Sequence, residues 1–239
     1  MSPERPQPPT PVLPIASIDD PRTITLLTTE HWSLLSARSL AYNEAFVRAG
    51  MFLTFLSTSF VALALVAQAM SFGRDFLAVA ALVLAFDLVV GLTTFLRMNA
   101  ANVDDLRANH GMARIRHAYT QIAPMVTPYF TTPTHDDIDA VTAVYGAISD
   151  RPLGQLVYGL TTSNGMIGLI VGMVAGVLAT VLAMLIGVHG GGSIWIGVAV
   201  GLIFLTGLFA YVFMTVPSEQ ARLTAIFPTP SADPVADHQ

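Results

Sequence analysis

Three observations predict an all-α integral membrane protein, with four transmembrane helices in two hairpins and helical cytoplasmic extensions. Four apolar runs, 50–70, 76–96, about 164–188 and about 193–216, approach or exceed the roughly 20 residues a helix needs to cross ~30 Å of hydrocarbon. The chain is 53% hydrophobic and 11% charged, against roughly 25% charged for a soluble domain. The runs also come in close pairs, each joined by a short turn, so each pair reads as an antiparallel hairpin.

The chain divides into five segments. Seven of the 15 prolines fall within the first 21 residues, so 1–27 reads as a disordered arm that cannot bury a core. It lacks a basic stretch followed by an apolar one, and no signal peptide is expected there. The first hairpin, 28–123, begins with Thr28 or Thr29 as cap of a helix that runs unbroken into the first span. The second span continues past Arg97 to Pro124. If the turn centres near residue 73, the two extensions lie side by side, bringing Glu30 near Arg116, Arg38 near Asp105 and Ser59 near Asp87.

A connector follows over 124–163. In it Thr134 precedes Asp137 by three residues, an acidic variant of the capping box at the start of a short helix. A metal site built from His135, Asp136, Asp137 and Asp139 is the weaker reading, because adjacent residues on one helix point in different directions. The second hairpin occupies 164–216, and 217–239, with four prolines, reads as a disordered tail.

Arginine placement orients the spans. All 11 basic residues are Arg, a bias that fits a GC-rich bacterial genome. Arg5, Arg22, Arg38 and Arg48 precede the first span. Arg97, Arg107, Arg114, Arg116 and Arg151 lie between the hairpins, and Arg222 follows the last span. The outer turns hold only Arg74. Since positive residues stay inside, both termini and the connector are expected in the cytoplasm, with the protein in the inner membrane.

The runs TTEHWSLLSARSLAYNEAFVRAGMFL (28–53) and RIRHAYTQIAPMVTPYFTTPTHDD (114–137) resemble a family of bacterial four-span membrane proteins with no assigned activity. The resemblance implies fold and membrane localisation and transfers no functional residue. The layout is also similar to that of membrane effectors of bacterial defence systems, an analogy of fold alone.

Glycines mark the second hairpin. Gly168, Gly172 and Gly176 lie on one stripe, Gly197 and Gly201 on the other, and small-xxx-small grooves allow close backbone approach between membrane helices. With the turn near 190–191, Phe213 is expected opposite Gly168, Phe209 opposite Gly172, Leu205 opposite Gly176, and Met184 opposite Gly197. A contact between copies through the same grooves is the rival arrangement.

Asp87 is the one ionisable residue within the four runs. An intramembrane carboxyl is a functional candidate by default. The candidate polar site comprises Asp87, Ser57, Thr58, Ser59 and Thr94. A structural strut, a proton- or cation-linked site and a lipid-facing carboxyl are the three readings open to it.

Enzyme chemistry finds no pattern to rest on. The chain has no cysteine and its six histidines show no ligand spacing. Phosphate loops, nucleotide fingerprints and nucleophilic triads are absent from the sequence. No metal or cofactor is expected, and a net charge of −5 argues against nucleic acid. The expected activity is that of a non-enzymatic scaffold or effector acting through its cytoplasmic helices and self-association, with the lipid bilayer, a second copy and a cytoplasmic protein as partners. The alternative is a small ion or proton channel or transporter using Asp87.

Overall fold

A computed structural model describes residues 17–18, 20–70, 72–145 and 152–230, and these are all-helical, without strands. The elements in chain order are α1 (Pro21–Met70), α2 (Arg74–Ile122), a 3-10 turn (Pro124–Tyr129), α3 (Ile138–Ala143), α4 (Pro152–Thr161), α5 (Ser163–Leu185) and α6 (Gly191–Gln220). Four of them, α1, α2, α5 and α6, are long and apolar enough to cross a membrane. The expected disordered stretches 1–16 and 231–239 lie outside the described residues.

Helix α1 has 50 residues, about 75 Å at 1.5 Å per residue. It starts seven residues before the expected cap at Thr28. Pro21 takes the first helical position, where its missing N–H is no loss, and the Asp20 carboxylate accepts from the Arg22 N–H at 2.9 Å. Thr29 sits inside the helix and donates to the Thr25 carbonyl. Residues 21–27 are thus helical and not part of an irregular arm.

Helix α2 is the central element. It packs along α1 on one side and along α5 on the other, and α5 packs along α6. The largest buried side chains between α1, α2 and α5 are Phe52, Leu84, Phe95 and Val171. Gly91 lets α2 approach both neighbours, since a Cβ there would meet Phe52 and Val171 at 2.8 Å.

The seam between α5 and α6 departs from the expected register by one turn. Gly172 faces Leu205 and the Gly201 carbonyl, and Gly176 faces Gly197 and Gly201. Gly197 meets Thr180 as well as Gly176. Small residues therefore lie against small residues at backbone contact, not against Phe209 or Met184. Gly168 belongs to a different interface, against the Phe95 ring of α2. Phe209 packs beside Gly159 of α4, and Phe213 is 58% exposed. The cause is the turn: α5 stops at Leu185, and Gly187 and Gly190 both take positive φ. That conformation is cheap only for glycine, and the reversal it makes spans 186–190, centred about two residues before the expected 190–191, which slips the pairing by about four residues.

Residues 217–230 have a defined course after the last apolar run. Helix α6 runs through Pro217 to Gln220, and a strap, 221–230, then crosses to the connector. The expected disorder from 217 does not hold for its first 14 residues, because the Asp136 and Asp137 carboxylates bind the strap's backbone.

Candidate functional site

Asp87 is fully buried and accepts a hydrogen bond from the Ser59 hydroxyl at 3.0 Å. That contact joins the middle of α2 to the middle of α1. The other candidate polar residues do not converge on it. Ser57 donates to the Leu53 carbonyl, Thr58 to Thr54 and Thr94 to Val90, each within its own helix. Ser57 and Thr58 lie on the exposed face of α1. The Asp87 Oδ2 has no partner among the described residues. The site is therefore one carboxyl and one hydroxyl, on the faces of α1 and α2 that also bury Leu56, Leu63, Ala80 and Leu84, and not a polar row.

Charged side chains cluster instead along the other half of α2. Arg97 bonds Glu44 at 2.8 Å, and Arg48 reaches the same carboxylate at 3.0 Å. Hydrogen bonds from Arg97 first, and from Arg48, hold Glu44 below the usual carboxylate range against the opposing effect of burial. Two turns further on, Asp105 is buried and paired with Arg38. It also accepts from the Tyr145 hydroxyl at 2.7 Å and from the Asn109 amide at 3.3 Å. Burial, then that bond to Asp105, push the Tyr145 phenol far up. Glu30, by contrast, is exposed, and Arg116 donates to the Pro133 carbonyl instead.

The densest cluster surrounds Asp136, which is fully buried. One oxygen accepts from the Phe227 N–H at 2.7 Å; the other accepts from the Ile226 N–H at 2.9 Å and from Arg114 Nε at 2.8 Å. Arg114 spans the cluster by also donating to the Thr224 carbonyl at 2.6 Å. Burial alone would raise the Asp136 carboxyl, but the backbone donors and the guanidinium outweigh it and hold it below the usual range. His110 Nε2 lies 3.7 Å away, and both ring nitrogens are buried without a hydrogen-bond partner among the described residues. Burial, then the Arg114 charge, keep this imidazole's pKa low. His117 stacks on Phe227 at 4.2 Å between ring centroids.

Asp137, not Thr134, caps α3. Its Oδ2 accepts from the Ala140 N–H at 3.3 Å, and its Oδ1 accepts from the Thr229 N–H and hydroxyl. The acidic pair thus spends its oxygens on backbone donors and a guanidinium. Among the described residues no three His, Asp or Glu side chains gather as a metal site would need. Sequence reasoning named Asp136 only as a metal candidate and missed its hold on the strap, because its main partners are main-chain N–H groups about 90 positions away, which any residue but proline supplies.

No family model, no curated protein and no solved structure matches the chain. The resemblance carried by 28–53 and 114–137 accordingly stays an expectation from those residues.

Proposed function

We propose that the protein is a non-enzymatic scaffold of the inner membrane, crossing it as two hairpins with both termini in the cytoplasm. Its extended helices then form a cytoplasmic layer that engages a partner protein or a second copy. The observation that carries this reading is the closure of Asp87. The one intramembrane carboxyl is buried within a single chain and bonded through one oxygen to Ser59, where a pore would turn it toward a shared axis. Beyond the spans, the contacts of Arg38, Arg97, Arg107 and Arg114 brace the layer. On the same portion of α1, Leu26, Trp32 and Leu40 are 59%, 61% and 70% exposed, apolar area of the kind that marks protein contact surfaces.

One observation favours the rival reading, a proton or ion site: the Asp87 Oδ2 has no partner. Reconstitution in liposomes separates the two. Wild type and Asp87→Asn are compared for ion and pH-gradient flux, with thermal stability measured alongside. The scaffold reading expects no flux from either and a stable Asn variant. Flux in wild type that disappears in a stably folded Asn variant overturns it.

A further inference from the structure

Two adjoining cavities, of about 410 and 390 Å³, open between α2, α4, the start of α5 and the end of α6. Both lie in the size range of small-molecule sites, roughly 300–1,000 Å³, and they share Asn102, Tyr158, Thr162, Asn164 and Val216. They differ in character. The larger is walled mainly by apolar side chains, Phe46 of α1 and Met98 and Leu106 of α2 among them, and only it also meets Thr142, Tyr145 and Gln220. The smaller is walled by Phe95, Phe209, Val212 and Phe213.

This polarity gradient runs along the expected membrane normal. Phe95 falls inside the second apolar run, and Asn102 lies five residues past Arg97, about 7.5 Å along the helix. On the proposed orientation, Phe95 and Phe213 therefore set the smaller cavity at the level of acyl chains, and Thr142 and Tyr145 of the connector set the far end of the larger one beyond the apolar runs, toward the headgroups. Phe213, 58% exposed, leaves the apolar end accessible from the lipid side.

Two features define what fits. First, Asn164 is 6% exposed, borders both cavities, and its Oδ1 has no hydrogen-bond partner among the described residues. A buried acceptor left unpaired is costly, and a small rotation of this amide toward the cavities lets a ligand that donates to it remove the penalty. Second, no Arg, His, Asp or Glu is among the described residues lining either cavity. A phosphate drawn into such a site would lose its hydration with no cation to replace it.

We infer that the paired cavities bind a neutral, hydroxyl-bearing acyl amphiphile from the cytoplasmic leaflet, its chain against Phe95, Phe209 and Phe213 and its hydroxyl donating to Asn164 Oδ1. The chemistry is that of an acylglycerol, not of an anionic phospholipid.

The test uses the full chain in detergent, with 1-oleoylglycerol as probe and the lysophosphatidylglycerol of the same acyl chain as the charged comparison. Native mass spectrometry and thermal unfolding are read together. Wild type should take up 1-oleoylglycerol one to one with a saturable rise in thermal midpoint, and should hold the charged lipid at least tenfold more weakly. Asn164→Ala should weaken acylglycerol binding about three- to tenfold, the size of one neutral hydrogen bond. Val216→Trp, which fills the space common to both cavities, should abolish it. Circular dichroism checks that each variant is folded, and Asn164→Ala decides the matter alone if Val216→Trp is not. Absence of a saturable adduct, equal or tighter binding of the charged lipid, or an unchanged affinity in folded Asn164→Ala overturns the inference.

Discussion

Ser59 and Asp87 show how one polar contact can be both small and consequential. A membrane-buried hydrogen bond contributes only about 0.6 kcal/mol on average and at most ~2 kcal/mol, but an unpaired buried group costs about 1–3 kcal/mol. Ser59→Ala, which strands the fully buried Asp87, should therefore destabilise by about 1–3 kcal/mol. Ser59→Ala combined with Asp87→Leu removes both polar groups and should recover part of that loss. Chemical unfolding in detergent measures both, and simple additivity of the two losses would count against the strut. Asp136 and His110 give a second, titratable example. Each binds fewer protons folded than unfolded, since both pKa values are lowered. Each therefore contributes stability that is full above its unfolded pKa and lost as pH falls. For His110 the loss begins below pH 6.5, and for Asp136 below pH 3.8. Thermal midpoints should decline from pH 7 to pH 5, and His110→Gln should flatten that decline while leaving the more acidic one. An unaltered slope in the Gln variant would place the titrating group elsewhere.

At the scale of elements, the glycine seam separates what a sequence can carry from what it cannot. The stripes themselves were legible, because an i, i+4 repeat of glycine is a property of one helix. Their register was not, because it depends on how α5 ends and on two positive-φ glycines in the turn. Ser59 opposite Asp87 and Arg38 opposite Asp105 were legible because the turn near 73 is tight and little chain is available to slip. The Asp136 strap was invisible for a different reason: carboxylate to backbone N–H is a contact with no residue signature on the donor side. The seam as observed makes a sharp contrast between two glycines. A Cβ on Gly197 would lie 2.6 Å from the Gly176 carbonyl and closer still to the Thr180 hydroxyl, whereas one on Gly50 meets nothing within 4 Å. Gly197→Ala should cost about 1–3 kcal/mol through overpacking. Thr180→Ala should not rescue it, since the backbone carbonyl remains in the way. Gly50→Ala should be neutral or stabilising by up to about 1 kcal/mol, the helix-propensity difference. Equal effects at the two positions would mean that α5 and α6 do not meet through this seam.

At the scale of the whole molecule, the order α1, α2, α5, α6 places both long helices of the first pair beside one another and lets their ends outside the apolar runs share one polar layer. Among the described residues, the arginine–carboxylate contacts that join elements fall in that layer: Glu44 with Arg97, Arg38 with Asp105, Arg107 with Glu219 at 2.5 Å, and Arg114 with Asp136. The opposite ends of the spans carry only Arg74 and Asp75 in one turn and no charge in the other. Cations resist translocation and the short loops that carry them stay in the cytoplasm. On the proposed topology the same arginines brace the layer and set its side of the membrane. The strap adds a geometric constraint, since Ile226 and Phe227 bond Asp136, so the segment after α6 must lie on the side of the connector whatever the orientation. Reporter fusions at residue 73, residue 130 and residue 230 should accordingly read outside, inside and inside. The second and third must agree if the strap is bound, and both must be inside if arginine placement sets topology. Agreement with both outside would reverse the orientation and leave the strap intact. Disagreement between 130 and 230 would break the strap and, with it, the single polar layer on which the scaffold reading depends.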